Sequence, residues 1–541
     1  MGGTTTRVSG AWVRGGLVAL AAAGLAGCGK GKEPPGKATP VAVAAAVSKP
    51  KTGGNVRLPS NEPRYLNPLI EQRFDLANTI LFEGLVGVDA RGEPVPRLAA
   101  SWTQSPDGLV VTFKLQPKAT WHDGQPVTAA DVAFSFDQAK KTAWKAYMEP
   151  VVKIETPDPQ TVVVTYGQPY APAMAAWTMA IIPAHIYRGD DDLTQSKGNR
   201  EGIGSGPFKL VRWEGGRRIV LAAHDGWWGG RPYLDNIELV LGVSDGEMLS
   251  QLRRDQLDWA PIRIVDDQMT LAQSPELREE FEQSDAVESR LRLIAWNTDR
   301  PGLEDKRVRQ ALTMALDRQR VIEDVLGGRA QPLSGPFFPT MAGADPSIAP
   351  LPFDLARAKA LIDEALPAKP GATGPRLTVE LILRDSLRGP VVDSTFAIFR
   401  RDLEKIGVDI KLTALPPAEH DARISKREFD ATYFGWLPDI PDPDPYALLH
   451  SSQIGVGFNY AGYANPEIDR MLDEARHATN RDARRVLYAK VHAVVADEQP
   501  YTPLYSPIGY YAWRRSLHGV GARDLAPQPL APGVARWWVG R

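Results

Sequence analysis

A single cysteine, Cys28, occurs among 541 residues, which excludes an internal disulfide, a CxxC redox pair and any site built from several thiolates. Charge of one sign is equally scarce. With 63 Lys+Arg against 65 Asp+Glu and a net of -2, no overall field draws the chain to nucleic acid or to an anionic membrane surface. The sequence has no HExxH, GxSxG or GxGxxG, and Gly202-Ile203-Gly204-Ser205-Gly206-Pro207 fails both glycine patterns by position, so nothing supports a hydrolase. The eight histidines never stand three or four residues apart, so no helical metal pair exists locally. No cofactor is expected. What is present is 43% hydrophobic and 24% charged, with 46 Pro, 48 Gly and 14 Trp: a loop-rich globular chain, long enough for three or four domains of roughly 150 residues.

Arg7 and Arg14 precede an apolar stretch, Gly15 to Gly27, that is too short for a bilayer span but suits a signal-peptide core. It ends at Leu25-Ala26-Gly27-Cys28. This resembles the bacterial lipobox, which implies removal of residues 1–27 and a lipid on Cys28. Residues 28–54, rich in Lys, Pro, Gly and Ala without amphipathic period, read as a flexible spacer with a reach of roughly 30 Å.

From about Asn55 strands and helices mix without a fixed-period repeat, which argues for an α/β or α+β fold. Val111, Phe113 and Leu115 alternate in one strand, Ile237, Leu239 and Leu241 in another. Thr128 to Asp131 is a capping box before a helix. Val308, Ala311, Leu312, Ala315 and Leu316 form a helical stripe in a segment ending near Gly327-Gly328. Phe396, Phe399, Leu403 and Ile406 form another, stopped by Gly407 and followed by an alternating strand.

Ordered along the chain stand Pro96 to Trp102, Trp121-His122-Asp123-Gly124, Gly204-Ser205-Gly206-Pro207-Phe208, Trp227 to Pro232, Asp305 to Leu312, Gly435-Trp436 and Asn465 to Asp469. Together they resemble extracytoplasmic solute-binding proteins of the peptide/nickel class that serve ABC importers (family 5, oligopeptide- and dipeptide-binding-like). The resemblance implies an α/β two-lobed clamshell in three parts. Residues 55–88, 202–289 and 509–541 would form the core of lobe one, 89–201 its inserted domain, and 290–508 lobe two. Crossovers near Ser289 and Ile508 would be the hinge. It further implies a lipid-anchored, monomeric, periplasmic-side binder that captures small peptides and presents them to the permease's transmembrane subunits, with no catalysis and no nucleic acid. An oligosaccharide or a metal chelate on the same scaffold is the alternative ligand, with His420 or His450 the first metal-chelate suspects.

By the same resemblance, Asp439 stands where peptide binders pair a carboxylate with the ligand's ammonium, a role that needs a fixed, hydrogen-bonded charge. Asp442 and Asp444, each before a proline, read as turn residues. Trp436 and Trp296 could offer flat ligand walls or pack in the core. Asn297 matches a family position beside the strand that supplies backbone partners, and Arg384 or Arg388 stands near the arginine that dipeptide binders use for the ligand carboxylate.

Overall fold

A computed structural model describes residues 49–541 apart from 72–73, 91, 289, 339–340, 342, 369, 372, 439–440, 443, 522, 527–532 and 541; Cys28 and the stretch around it lie outside these residues. Alternating burial builds the first sheet. Strand Asn55–Ser60 runs parallel to Asn236–Leu241, which pairs antiparallel with Arg218–Ala223 and through it with Phe208–Glu214. Leu58, Ile219, Ile237 and Leu239 point into a core that a second sheet shares. That sheet is antiparallel in the order Ala99–Gln104, Val110–Leu115, Thr161–Tyr166, Val151–Asp158, and it contributes Phe113 and Val162 to the same core.

Helix Ala129–Ala139 covers the second sheet and begins as its sequence predicts. Both halves of the capping box form, and the free Asp131 oxygen accepts from Ala184 N at 2.9 Å.

The third sheet has eight strands. Its path runs Trp259–Pro261, Tyr501–Arg514, Leu291–Trp296, Ala431–Trp436, Leu377–Arg384, Val408–Leu415, with Phe281–Val287 and Ala330–Pro332 also paired to the long strand Tyr501–Arg514. Period-two alternation in Leu291–Trp296 sends Leu291, Leu293 and Ala295 into one core, with Leu472 and Val491, and Ile294 and Trp296 into another, with Phe396, Phe399 and Leu403. Helix Pro390–Lys405 ends at Ile406, and Gly407 takes φ +80° to turn directly into Val408–Leu415. The long strand belongs to two neighbourhoods: its first residues pair with Leu291–Trp296 and its last with Phe281–Val287.

The stripe at 308–316 is interrupted where the sequence reading expected one segment running to Gly327-Gly328. Helix Lys306–Met314 stops, and Asp317 accepts from Arg320 N at 3.0 Å to start a new turn. A mid-pattern Asp competes for backbone donors and so favours a cap over helix interior. The restart lets buried Arg318 donate to Pro503 O at 3.0 Å on the long strand.

Two sequence motifs join the first two sheets. His122 N donates to Gly204 O (2.9 Å) and Gly204 N donates to His122 Nδ1 (3.0 Å), so Nδ1 carries the lone pair and Nε2 donates to Gly206 O (3.1 Å). His224 lies edge-on at 5.1 Å. Burial pushes the His122 pKa down to about 4 against the pull of its hydrogen bond to Gly206 O, and burial lowers His224 also. A group depressed on folding lends stability that is whole above its unfolded pKa and drains as pH falls toward the folded one. Denaturant-derived stability should therefore decline between pH 6.5 and about 4. His122→Gln should flatten part of that slope, leaving the shares of His224, His420 and His492, which are likewise lowered. An unaltered slope would show that His122 is charged in the fold.

Candidate binding cleft

Parallel strands end where side chains and loops diverge, and crevices open beyond their carboxyl ends. Asn55–Ser60 and Asn236–Leu241 are parallel, and past their ends lies a cavity of about 340 Å³, within the range of small-ligand sites. Its apolar wall includes Leu241, Val243, Met248, Trp259 and Leu437, the last just past strand Ala431–Trp436 of the third sheet. Tyr511 stacks on Trp259 with centroids 5.6 Å apart. A second cavity, about 280 Å³, shares Phe74 and Asp75 with the first and is lined by Glu71, Glu83, Arg97, Pro441 and Asp524 among others.

The two cavities differ in charge. The second presents four acids, Glu71, Asp75, Glu83 and Asp524, and one arginine, Arg97. Glu83 is buried and accepts from Arg97 (3.1 Å) and from the indoles of Trp227 (3.0 Å) and Trp228 (2.8 Å). Burial raises the Asp75 carboxyl to about 7, against its hydrogen bonds from Asn78. Burial also raises Asp524, which accepts from Trp537 Nε1 and Gly521 N, each at 2.8 Å. The first cavity carries Arg263, Arg290 and Arg523 around Tyr511, with Glu288; its other acids, Glu62 and Asp75, are held by Trp213 Nε1 and Gly216 N and by Asn78 respectively.

Of the residues singled out from sequence, Asp439 lies outside the described residues, but its chain neighbours Leu437 and Pro441 line the first and second cavities. Trp436 is buried, stacked on Phe338 at 6.2 Å and 9°. Trp296 is fully buried with its indole donating to Thr502 Oγ1 at 2.9 Å. Both fill core, which resolves the choice between wall and packing at these positions in favour of packing. Asn297 spends its amide on Phe429 O (2.8 Å) and Arg427 O (3.3 Å). The strand before it is paired on both edges, Ala295 with Thr432 and with Tyr501, so it has no open edge for an extended ligand. Arg384 is forked onto Asp421 (2.7 Å), Arg388 pairs with Asp393 through Nε (2.7 Å), and neither lines either cavity.

Asp442 and Asp444 are more than turn residues. Arg484 grips Asp442 with both terminal nitrogens (2.6 and 3.1 Å), and Arg476 binds Asp444 at 2.7 Å while stacking over Tyr446. Prolines flanking buried carboxylates mimic turn signals, and the partner arginines stand over 30 residues away, where local reading cannot see them. His420 is buried against Asp421 and Thr432, His450 against Ser452. Among the described residues no group of three or more His, Cys, Asp or Glu is arranged to hold a metal, and no helix is long and apolar enough to cross a membrane.

The cavity residues Arg263, Arg290, Tyr511, Glu83 and Asp524 were not found from sequence. The Trp227-Trp228 pair, which caps Glu83, and the Arg290/Arg292 alternation entering a strand are the signals that pointed there.

The mixed α/β sheets, with charge-lined cavities beyond the ends of the parallel strands, are those of the two-lobed clamshell class of solute-binding proteins. The family profile "Bacterial extracellular solute-binding proteins, family 5 Middle" matches residues 93–457, and the chain belongs to that family of ABC-importer solute-binding proteins, which are extracytoplasmic and not enzymes. It is 27% identical to the oligopeptide-binding protein AppA of Bacillus subtilis over 92% of this chain and 93% of that one. It is 28% identical to di/tripeptide-binding protein 2 of Pseudomonas aeruginosa over 80% and 86%. The solved structure of the B. subtilis AppA complex with a nonapeptide superposes with a TM-score of 0.78 at 25% identity, covering 91% of this chain and all of that one.

Proposed function

We propose that this protein captures extracytoplasmic peptides between two lobes and delivers them to an ABC permease, tethered to the membrane through a lipid on Cys28. The observation that carries the reading is a pair of adjoining cavities of unequal charge, one lined by four acids and one arginine and the other by three arginines and three acids, which suits a zwitterion with separated charges. The peptide-binding names of the relatives support it.

The lobes of this reading are residues 55–88, 202–289 and 509–541 with the inserted 89–201, against 290–508. Flexing falls where Glu288 N donates to Pro507 O (3.0 Å) and Ser506 Oγ to Glu288 O (3.0 Å), beside the change of partners along the long strand. Asp439, between Leu437 and Pro441, serves as the partner of the ligand's ammonium. The closed form is held at its far side by Ala171 N donating to Arg476 O at 2.7 Å.

Calorimetry with alanine peptides of two to nine residues tests the reading. Free peptides bind and shrink the radius of gyration in solution scattering; N-acetylation, or Asp439→Asn, weakens binding at least tenfold, about 1.4 kcal/mol. Equal affinities for free and acetylated peptides would remove Asp439 from this role. Absence of binding by every peptide would overturn the peptide reading in favour of a sugar or metal chelate.

A further inference from the structure

At its Tyr511 end the first cavity gathers three arginines, Arg263, Arg290 and Arg523, against one acid, Glu288. Arg263 comes from the loop after strand Trp259–Pro261, Arg290 from the crossing between strands Phe281–Val287 and Leu291–Trp296, and Tyr511 from the long strand. These are sheet-anchored positions, so the groups stay converged without help from a ligand. The acid nearest Arg290, Glu288, stands 4.0 Å from its Nε, beyond hydrogen-bond length. The Glu288 main chain is tied by Pro507 O and the Ser506 hydroxyl, which holds the residue at the sheet crossing. Arg263 is paired at 2.7 Å with Asp245, on the outer side of an ion pair about half exposed on both partners.

Burial and then the repulsion of Arg292 and Arg263 lower the Arg290 pKa, against the pull of Glu288. Burial also pushes the Tyr511 phenol up to about 12, leaving a neutral hydroxyl donor among the guanidiniums. A half-buried guanidinium short of a hydrogen-bonded acid, next to a second cation and a hydroxyl, binds a planar anion well.

We propose that Arg290, with the Tyr511 hydroxyl, is the subsite for a carboxylate of the captured ligand, Arg263 adding positive charge beside it from its pair with Asp245. Arg384 and Arg388, the positions suggested by sequence, line neither cavity. The proposal rests on the peptide reading and adds a direction to it: the ligand's ammonium lies toward Glu83 and Asp524, its carboxylate toward Tyr511. The carboxylate is either the peptide's terminus or an acidic side chain, since the geometry recognises the group and not its origin.

The test uses three alanine-based probes on the purified protein by calorimetry: the free acid, its C-terminal amide, and an amide carrying one Glu at the last position. The amide should bind at least tenfold more weakly than the free acid. Arg290→Gln should weaken the free acid by a similar factor and erase the difference between acid and amide, while Arg290→Lys restores part of that preference. Loss of packing alone would weaken both probes equally and keep their ratio. Recovery of affinity by the Glu-bearing amide shows that a side-chain carboxylate fills the subsite as well, failure to recover restricts it to the terminus, and a gain by the Glu-bearing amide with acid and plain amide equal assigns it to a side chain. Equal binding of all three probes to the native protein, or an acid preference that survives in both Arg290→Gln and Arg263→Gln, overturns the subsite while leaving the peptide reading intact. Failure of acid and amide alike to bind at any length from two to nine residues overturns both.

Discussion

Replacing Asp442 with alanine is expected to destabilise the protein by about 3–5 kcal/mol, because it strands the Arg484 guanidinium in the interior. The side chains of Arg484 and Asp442 are 11% and 7% exposed, and the carboxylate meets both terminal nitrogens. Burial pushes the Asp442 carboxyl up while the Arg484 charge pulls it back, and Arg484 itself is held cationic with a second acceptor in the Tyr488 hydroxyl at 3.0 Å. Removing one partner leaves a charge with no water to replace the lost one. Removing both is a different experiment: Asp442→Leu with Arg484→Met should recover most of the loss, since apolar pairs of similar volume often match a buried ion pair. Thermal unfolding of the three variants decides it. A single-variant loss under about 1 kcal/mol would mean the pair is wet and worth only what a surface bridge is worth. The same variants should blunt ligand binding, because the pair anchors the chain directly after Leu437 and Pro441, which line the two cavities.

A comparable loss is expected from Gly204→Ala. A Cβ there would collide with the carbonyl oxygen of Leu81, and one at Gly206 with that of Ile80. Backbone cannot rotate away as a side chain can, so the misfit must be absorbed by helix Leu76–Leu81 or by the His122 contact with Gly204. Overpacking a tight site typically costs about 1–3 kcal/mol, and a clash with main chain belongs at or above the upper end. Gly124→Ala is the matched control: φ is +90° but nothing lies within 4 Å of its Cβ, so only the backbone strain of about 1 kcal/mol applies. If the two substitutions lower the melting temperature equally, close approach is not why residue 204 is glycine.

Local pattern carried the elements well, because a capping box or a Phe396, Phe399, Leu403 stripe depends on neighbours within a turn or two. Ordered motifs carried the family, since they sit at sheet junctions such as His122 with Gly204. The cleft was far less legible. Trp296 and Asn297 read as ligand contacts because aromatic and amide side chains serve walls and cores equally, and only the pairing of both strand edges tells them apart. Arg384 and Arg290 are indistinguishable as letters; what separates them is that one has Asp421 in a fork and the other has Glu288 at 4.0 Å. Such partners come from residues brought near by topology, which no spacing rule encodes.

The bond from Ala171 N to Arg476 O is a main-chain contact that, in the proposed layout, joins the inserted segment to lobe two. Any residue but proline can donate it, and any residue can accept it. Glu93 and Arg481 also pair across that boundary, so in the proposed closing motion the resting ratio of shut to open molecules would be set in part by a contact indifferent to the side chains that choose the ligand. Apparent affinity scales with the competent fraction, so mutations that retune the cavities could drift toward new solutes without resetting that ratio. Selectivity and gating would then be free to evolve separately.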